Sequence, residues 1–250
     1  MQHLLRRKII FGVLIGILVL PSAVFAQDEL KDLRQGVNLA DFDDQILHFG
    51  INIGVNTSHF HFQHAPIFLS QDSILDIESV NNIGINLAWL VSVGLSNHFA
   101  IRAYPLDLTF SQRTFEYSLD SPNIAAGETT ITPKSVQSIT LTFPLQLEFN
   151  SDRINNFKVY TIAGGQASLD LASNSGDKNT NGIIELNKFD YGVECGIGFH
   201  LYYPFFVLSP ELRVDWGLAN LHSGGDPNDK YSNVIGDVSS RMITFSVTIE

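Results

Sequence analysis

The segment HFHFQH sets His59 and His61 on one face of an extended strand with His64 shortly after, a spacing that imidazole ligands of a transition metal could use. No thiolate or carboxylate stands beside them to complete a coordination sphere, so they are read as polar side chains at a strand end. Asp177, Asn179, Asn181, Gly182 and Ile184 follow the opening of a calcium loop. Lys188, however, takes the twelfth position, where a bidentate acid is needed, and no helices flank the stretch. It reads as a hydrophilic exposed loop. Nowhere do a serine, a histidine and an acid gather into a triad. The sequence therefore assigns no catalytic residue, metal or cofactor, and the chain is not read as an enzyme. What remains is charge: Glu148, Asp190, Glu194, Glu211 and Asp215 against Arg102, Arg113, Arg213 and Arg241. The acids are read as inward-facing members of alternating strands and the arginines as their available partners, so a paired lumen network is expected, with a functional relay as the alternative.

The elements that must hold these charges are clearest in Lys188–Leu221. Phe189, Tyr191, Val193, Cys195, Ile197, Phe199, Leu201 and Tyr203 alternate with Asp190, Gly192, Glu194, Gly196, Gly198 and His200. That is a period of two kept up well beyond a usual strand of roughly five or six residues. A turn at about Pro204-Phe205 leads to a return arm with Leu208, Leu212, Val214, Trp216 and Leu218 on one face and Glu211, Arg213, Asp215 and Gly217 on the other. Strands of about ten residues or more, apolar outside and small or polar inside, are what crossing a bilayer as a barrel requires. Tyr191, Tyr203, Phe205 and Trp216 stand near the ends of the apolar run, where interface aromatics belong.

The same pattern recurs along the chain. A first strand runs from Leu47 to Val55, after which the apolar parity flips to Phe60 and Phe62 and suggests a bulge near Asn56-Thr57. The second spans Ile83 to Leu95. The third runs from Phe99 to about Tyr117, with a register shift at Pro105, which cannot donate to a ladder, so that Asp107, Thr109, Ser111 and Arg113 face in. The fourth carries Ile139 to Phe149, the fifth Phe157 to Leu171, and the last ends on Ile243, Phe245, Val247 and Ile249. Long polar connections at 63–81, 118–135, 172–187 and 222–237 alternate with short turns. The predicted fold is all-β, an eight-stranded antiparallel transmembrane β-barrel over residues 46–250. In an outer-membrane barrel the long loops face outside and an even strand count returns both termini to the periplasm. Eight strands enclose only their own side chains, so no pore is expected.

Ahead of the barrel, Arg6, Arg7 and Lys8 precede an apolar run from Ile9 to Leu20, then Pro21 and the small-residue pattern of Val24-Phe25-Ala26. Residues 1–26 read as a cleaved signal peptide, the run being shorter than the roughly 20 residues of a spanning helix. Residues 27–45 are charged and without period, and read as a flexible periplasmic leader. The net charge is −11. Removing the signal leaves 12 basic against 26 acidic residues, a net −14, which disfavours nucleic acid as a partner. The single cysteine, Cys195, sits on an apolar strand face and can form no intramolecular disulfide.

Several stretches resemble one family: LHFGINIGVNTSHFHF, AIRAYPLDLTFSQRTFEY, TLTFPLQLEFNSDRINNFKVYTIAGGQASLDLAS, FDYGVECGIGFHLYYPFFVLSPELRVDWGLANL and SSRMITFSVTIE. Together they cover nearly everything from Leu47 to Glu250, and in order and length they resemble the PorT family, called SprT in gliding bacteria. These are outer-membrane barrel proteins of the type IX secretion system of Bacteroidota. The resemblance implies a non-enzymatic role in exporting proteins with a C-terminal sorting domain, in some bacteria gliding motility, and other secretion components as partners beside outer-membrane lipid. It brings no catalytic residues. The run with Arg113, the run Pro210-Glu211-Leu212 and the pair Ser240-Arg241 are shared with the family. A passive, monomeric surface barrel for adhesion or membrane stabilisation is the competing expectation, and a rim enzyme acting on lipid or peptide is a third.

Overall fold

The computed structural model describes residues 36–64, 74–120, 129–172, 187–222 and 235–250. Within them the alternating segments form β1 (Leu47–His64), β2 (Ile74–Val80), β3 (Asn82–Gly94), β4 (Phe99–Leu119), β5 (Ile131–Asn150), β6 (Phe157–Asp170), β7 (Phe189–Tyr202), β8 (Val207–Gly217) and β9 (Ile235–Ile249). The sheet runs β2-β4-β3-β1-β9-β8-β7-β6-β5, and β4 also pairs with β5, which closes it on itself. β2 adds no lane of its own. It pairs with β4 from Val80↔Thr114 to Ile74↔Leu119, beyond the stretch where β3 pairs with β4 up to Ile85↔Phe110. β2 and β3 are two lengths of one lane, and the result is a closed antiparallel barrel of eight lanes. Closure leaves no sheet edge unpaired across lipid.

Alternation decides which side each residue takes. In β3, Ile83, Ile85, Leu87 and Trp89 are exposed on the outer face, while Asn86, Ala88, Leu90 and Ser92 are buried. In β5, Phe143, Leu145, Leu147 and Phe149 point outward against buried Thr142, Gln146, Glu148 and Asn150. A water-soluble protein could not leave such a band uncovered, whereas acyl chains solvate it. At Pro105 the phase slips as expected: Tyr104 and Asp107 are buried, with Pro105 and Leu106 both exposed between them, and the β4–β5 register shifts from Ala103 to Asp107. The missing proline N–H is placed where the ladder is already interrupted.

Two expectations need correction. First, β1 pairs with β9 in unbroken register from Ile51↔Ile249 to Phe62↔Val238, so there is no bulge at Asn56-Thr57; the shift lies between Phe62 and His64. Phe60 turns inside, 2% exposed, and His59 and His61 take the outward face. The hydrophobic parity inverts without any backbone slip because beyond the apolar band the outside is no longer lipid, and a ring gains more by facing inward. Second, Ile74–Val80, Ser118-Leu119 and Ile131–Ser135 belong to strands, where the sequence reads as polar connections. β4 and β5 pair from Phe99↔Phe149 to Ser118↔Ile131. Their outer apolar face stops at Phe110↔Ile139, so the hairpin continues about 25 Å along the strands past it. No lipid meets its outer face, so apart from a few inward side chains such as Tyr117 and Ile77 the ladder holds this part, and little enforces a period of two in the sequence.

Candidate functional site

Counted around the barrel, β4 and β8 lie four lanes apart out of eight, directly opposite each other. From β4, Arg102 reaches across to Glu211 of β8 at 2.8 Å and takes Glu148 of neighbouring β5 at 3.1 Å. From β8, Arg213 reaches back to Asp107 of β4 at 3.5 Å, and its Nε faces Glu194 at 3.5 Å and Asp215 at 3.4 Å. Two ionic struts thus cross the lumen in opposite senses. Tyr104 stands between them: Arg102 donates to its hydroxyl, and both guanidiniums lie over its ring, at 5.7 and 5.9 Å. Tyr160 donates to Glu211 at 2.9 Å, and Gln146 donates to Glu194 at 2.9 Å. All these side chains are almost wholly buried.

The sequence-predicted charges divide accordingly. Arg102, Glu148, Glu194, Glu211, Arg213 and Asp215 meet in the struts. Asp190 shares with Asp215 a hydroxyl-rich cavity of about 40 Å³, lined also by Thr109, Thr142, Ser168 and Asp170, toward the long-connection end. Arg241 is not a lumen partner. It lies opposite Trp216 and His59 in the ladder, on the outward face shared with Ile243 and Phe245, because residues two apart on a strand share a side. Arg113 lies in β4 and His64 ends β1, but neither side chain is described, and the 177–182 stretch lies outside the described residues. Among the described residues no three His, Cys, Asp or Glu side chains converge as a metal site. Asp107, Tyr104, Tyr160 and Gln146 were not among the predicted members. Asp107 and Tyr104 were findable, since the Pro105 phase slip puts both inside.

At the short-turn end the supposedly flexible leader turns out to be packed from Asn38 to Gln45; residues 1–35 fall outside the described residues. Asn38 accepts no strand pairing, but its N–H donates to Asn156 Oδ1 at 2.7 Å and its Nδ2 to the Tyr202 carbonyl at 2.9 Å. Arg153, lying 3.5 Å over the Tyr202 ring, donates to the Asn38 and Leu39 carbonyls and to Asp43. That clamp holds Leu39 at φ 48, in the left-handed region a leucine rarely adopts. Asp43 is the hub, accepting from Tyr202 at 2.8 Å, Lys158 at 3.1 Å and Arg153 at 3.1 Å. Phe42 closes over His48, ring centroids 4.3 Å apart. A cavity of about 60 Å³ separates this cap from Glu148 and His200.

Burial alone would raise the Asp43 carboxyl, but Tyr202, Lys158 and Arg153 outweigh it and hold it below the ordinary carboxylate range. A depressed folded value means the stabilisation is complete above the unfolded value of about 3.9 and is lost as pH falls through the lower folded value. Hydrogen exchange should therefore find the amides of Asn38–Gln45 protected from neutral pH down to about pH 4 and released below it. Asp43→Asn should weaken protection and remove that pH dependence; protection that ignores pH in the unmodified protein would refute the hub.

A closed eight-lane barrel with an apolar band and a side-chain-filled lumen defines a small outer-membrane β-barrel. The model of the outer membrane protein beta-barrel domain family matches residues 25–223, and the chain belongs to that family. No curated protein matches the sequence. Similar solved structures include OprG from Pseudomonas aeruginosa, at 10% identity and a TM-score of 0.45, covering 82% of this chain and 93% of that one. Neisserial surface protein A matches at 10% identity and a TM-score of 0.37, over 82% of this chain and 99% of that one. Ail of Yersinia pestis, solved with the heparin analogue sucrose octasulfate, matches at 13% identity and a TM-score of 0.37, over 82% and 99%.

Proposed function

We propose that this outer-membrane barrel is a non-enzymatic component of the type IX protein secretion system, needed for export of proteins that carry C-terminal sorting domains. The observation that carries the reading is the crossed pair of struts, Arg102–Glu211 and Arg213–Asp107, together with the Asn38–Gln45 cap. A lumen tied shut in this way passes no polypeptide, so the protein serves export by contacting a larger conduit. The PorT-like stretches from Leu47 to Glu250 support a conduit of the type IX system. In this reading the short-turn end and its cap face the periplasm, both termini lie there, and the barrel works as a single copy. The competing reading, an adhesion barrel, is favoured by the length of the β4–β5 hairpin beyond the apolar band.

A clean deletion separates the two. Loss of a secretion component should leave sorting-domain cargo as precursor in the periplasm while other outer-membrane barrels assemble normally, and quantitative immunoblots of periplasm and medium would read it. Cargo matured and released at wild-type levels, with only surface binding changed, would transfer the assignment to adhesion.

A further inference from the structure

Removing Arg241 from the lumen network leaves a cation on the outside of a membrane protein, and its surroundings there are specific. One rung of the ladder sets Trp216 of β8, Arg241 of β9 and His59 of β1 side by side. Arg241 is the first outward residue past the apolar positions Ile249, Val247, Phe245 and Ile243, so it stands at the boundary of the apolar band on the long-connection side. Its Nε is shielded from solvent and has no hydrogen-bond partner among the described residues. Two rungs further into the band another row runs Phe245–Val55–Ile85–Phe110 across β9, β1, β3 and β4. The two phenylalanines flank a floor of aliphatic side chains, which Ile53, Leu87 and Val247 extend inward, and the groove between them encloses about 530 Å³. Neighbouring strands are about 4.8 Å apart, so the rims stand roughly 14 Å from each other, room for one or two acyl chains. From Arg241 to Val247 is about 20 Å along the strand, or about 15 Å of depth at a tilt near 40°. That is half of a hydrocarbon layer of about 30 Å.

We propose that this face holds one phosphorylated, multiply acylated glycolipid of the outer leaflet, of the lipid A type. Its phosphate accepts hydrogen bonds from Arg241, with His59 beside it, and one or more of its acyl chains lie in the groove between Phe245 and Phe110. The guanidinium fork suits a phosphate, which it would meet through its terminal nitrogens, since Nε is closed to any group approaching from outside. The outer-leaflet assignment rests on the orientation proposed above; the site itself does not depend on a role in secretion.

The test uses the full mature chain in nanodiscs of phosphatidylcholine carrying lipid A or phosphatidylglycerol, followed by transfer to mild detergent and native mass spectrometry. The unmodified barrel should retain one lipid A. Arg241→Gln should retain about tenfold less or lower, the loss expected for one charge-assisted contact, and Arg241→Lys should recover part of it. Val55→Trp, which fills the groove floor, should also lose the lipid. Heat-modifiable migration checks that each variant folds. Equal retention by the unmodified protein and Arg241→Gln would overturn the proposal, as would preferential retention of phosphatidylglycerol or a dimer that Val55→Trp abolishes in the absence of lipid. Orientation is read separately: in a Cys195→Ala background, Ile131→Cys should react with an impermeant maleimide on intact cells. An unreactive cysteine would reverse the orientation and overturn the outer-leaflet assignment.

Discussion

Arg213→Leu is expected to destabilise the folded barrel by roughly 3–5 kcal/mol, against well under that for Leu212→Ala on the neighbouring outward position. Among the described residues Arg213 is the one guanidinium facing Asp107, Glu194 and Asp215, each within 3.5 Å and each at most 2% exposed. Deleting it leaves three buried carboxylates without the cation they share, with Gln146 still donating to Glu194, and a stranded buried charge costs far more than the intact pair contributes. At Leu212 the side chain meets lipid, which refills what truncation removes. Reversible urea unfolding in lipid or detergent micelles, followed by tryptophan fluorescence, compares the two. A second comparison isolates the cause. Combining Arg213→Leu with Asp107→Asn and Asp215→Asn should recover much of the loss, because two of the three uncompensated carboxylates leave together with their partner and Glu194 keeps the Gln146 donor. If the triple variant is no better than Arg213→Leu alone, or if Arg213→Leu and Leu212→Ala cost the same, the strut is not what steadies the lumen.

The barrel was legible in the sequence wherever lipid enforces it. Ile243, Phe245, Val247 and Ile249 had to alternate because one face meets acyl chains and the other a crowded interior, and that constraint reads straight through from residues to register. The same constraint located the Pro105 slip. It fails where lipid stops: Phe60 faces in and His59 out although the ladder does not shift before Phe62, and Ile74–Val80 pairs with β4 with no alternation to announce it. Which charges would meet was only half legible. Parity puts Arg102 and Glu211 inside, but that they reach each other depends on β4 and β8 being four lanes apart, a property of the closed sheet and not of either strand. Arg241 shows the opposite error. Its own parity with Ile243 placed it outside, and an excess of inward acids made it tempting to count as their partner. The Asn38–Gln45 cap left no signal, since its polar anchors, Arg153, Asn156, Lys158 and Tyr202, lie more than a hundred residues away in sequence.

Gly198→Val should cost roughly 2–5 kcal/mol, although valine is the better strand former and an unconstrained glycine in a strand is itself a weakness. The reason lies across the ladder, where Gly198 is the direct partner of Tyr160. The Tyr160 ring lies down over the glycine, so that a Cβ there would overlap its Cζ and hydroxyl. In that position the ring stacks on His200, centroids 4.3 Å apart, carries Arg102 5.2 Å from its centre, and donates to Glu211 at 2.9 Å. A branched side chain at 198 must lift the ring, and the strut then loses the hydroxyl that holds Glu211 in line with Arg102. Overpacking and an orphaned buried acceptor both add to the cost. Gly165 supplies the control: its Cβ would meet only the Gly192 carbonyl, at an ordinary 3.6 Å, on the outward face, so Gly165→Val should stay within about 0.5 kcal/mol of the unmodified protein. The decisive measurement is a double-mutant cycle. With Tyr160→Ala in place there is no ring to displace, and Gly198→Val should become nearly neutral. Strict additivity of the two changes would mean that the glycine is not there to seat the tyrosine, and that the strut owes its geometry to something else.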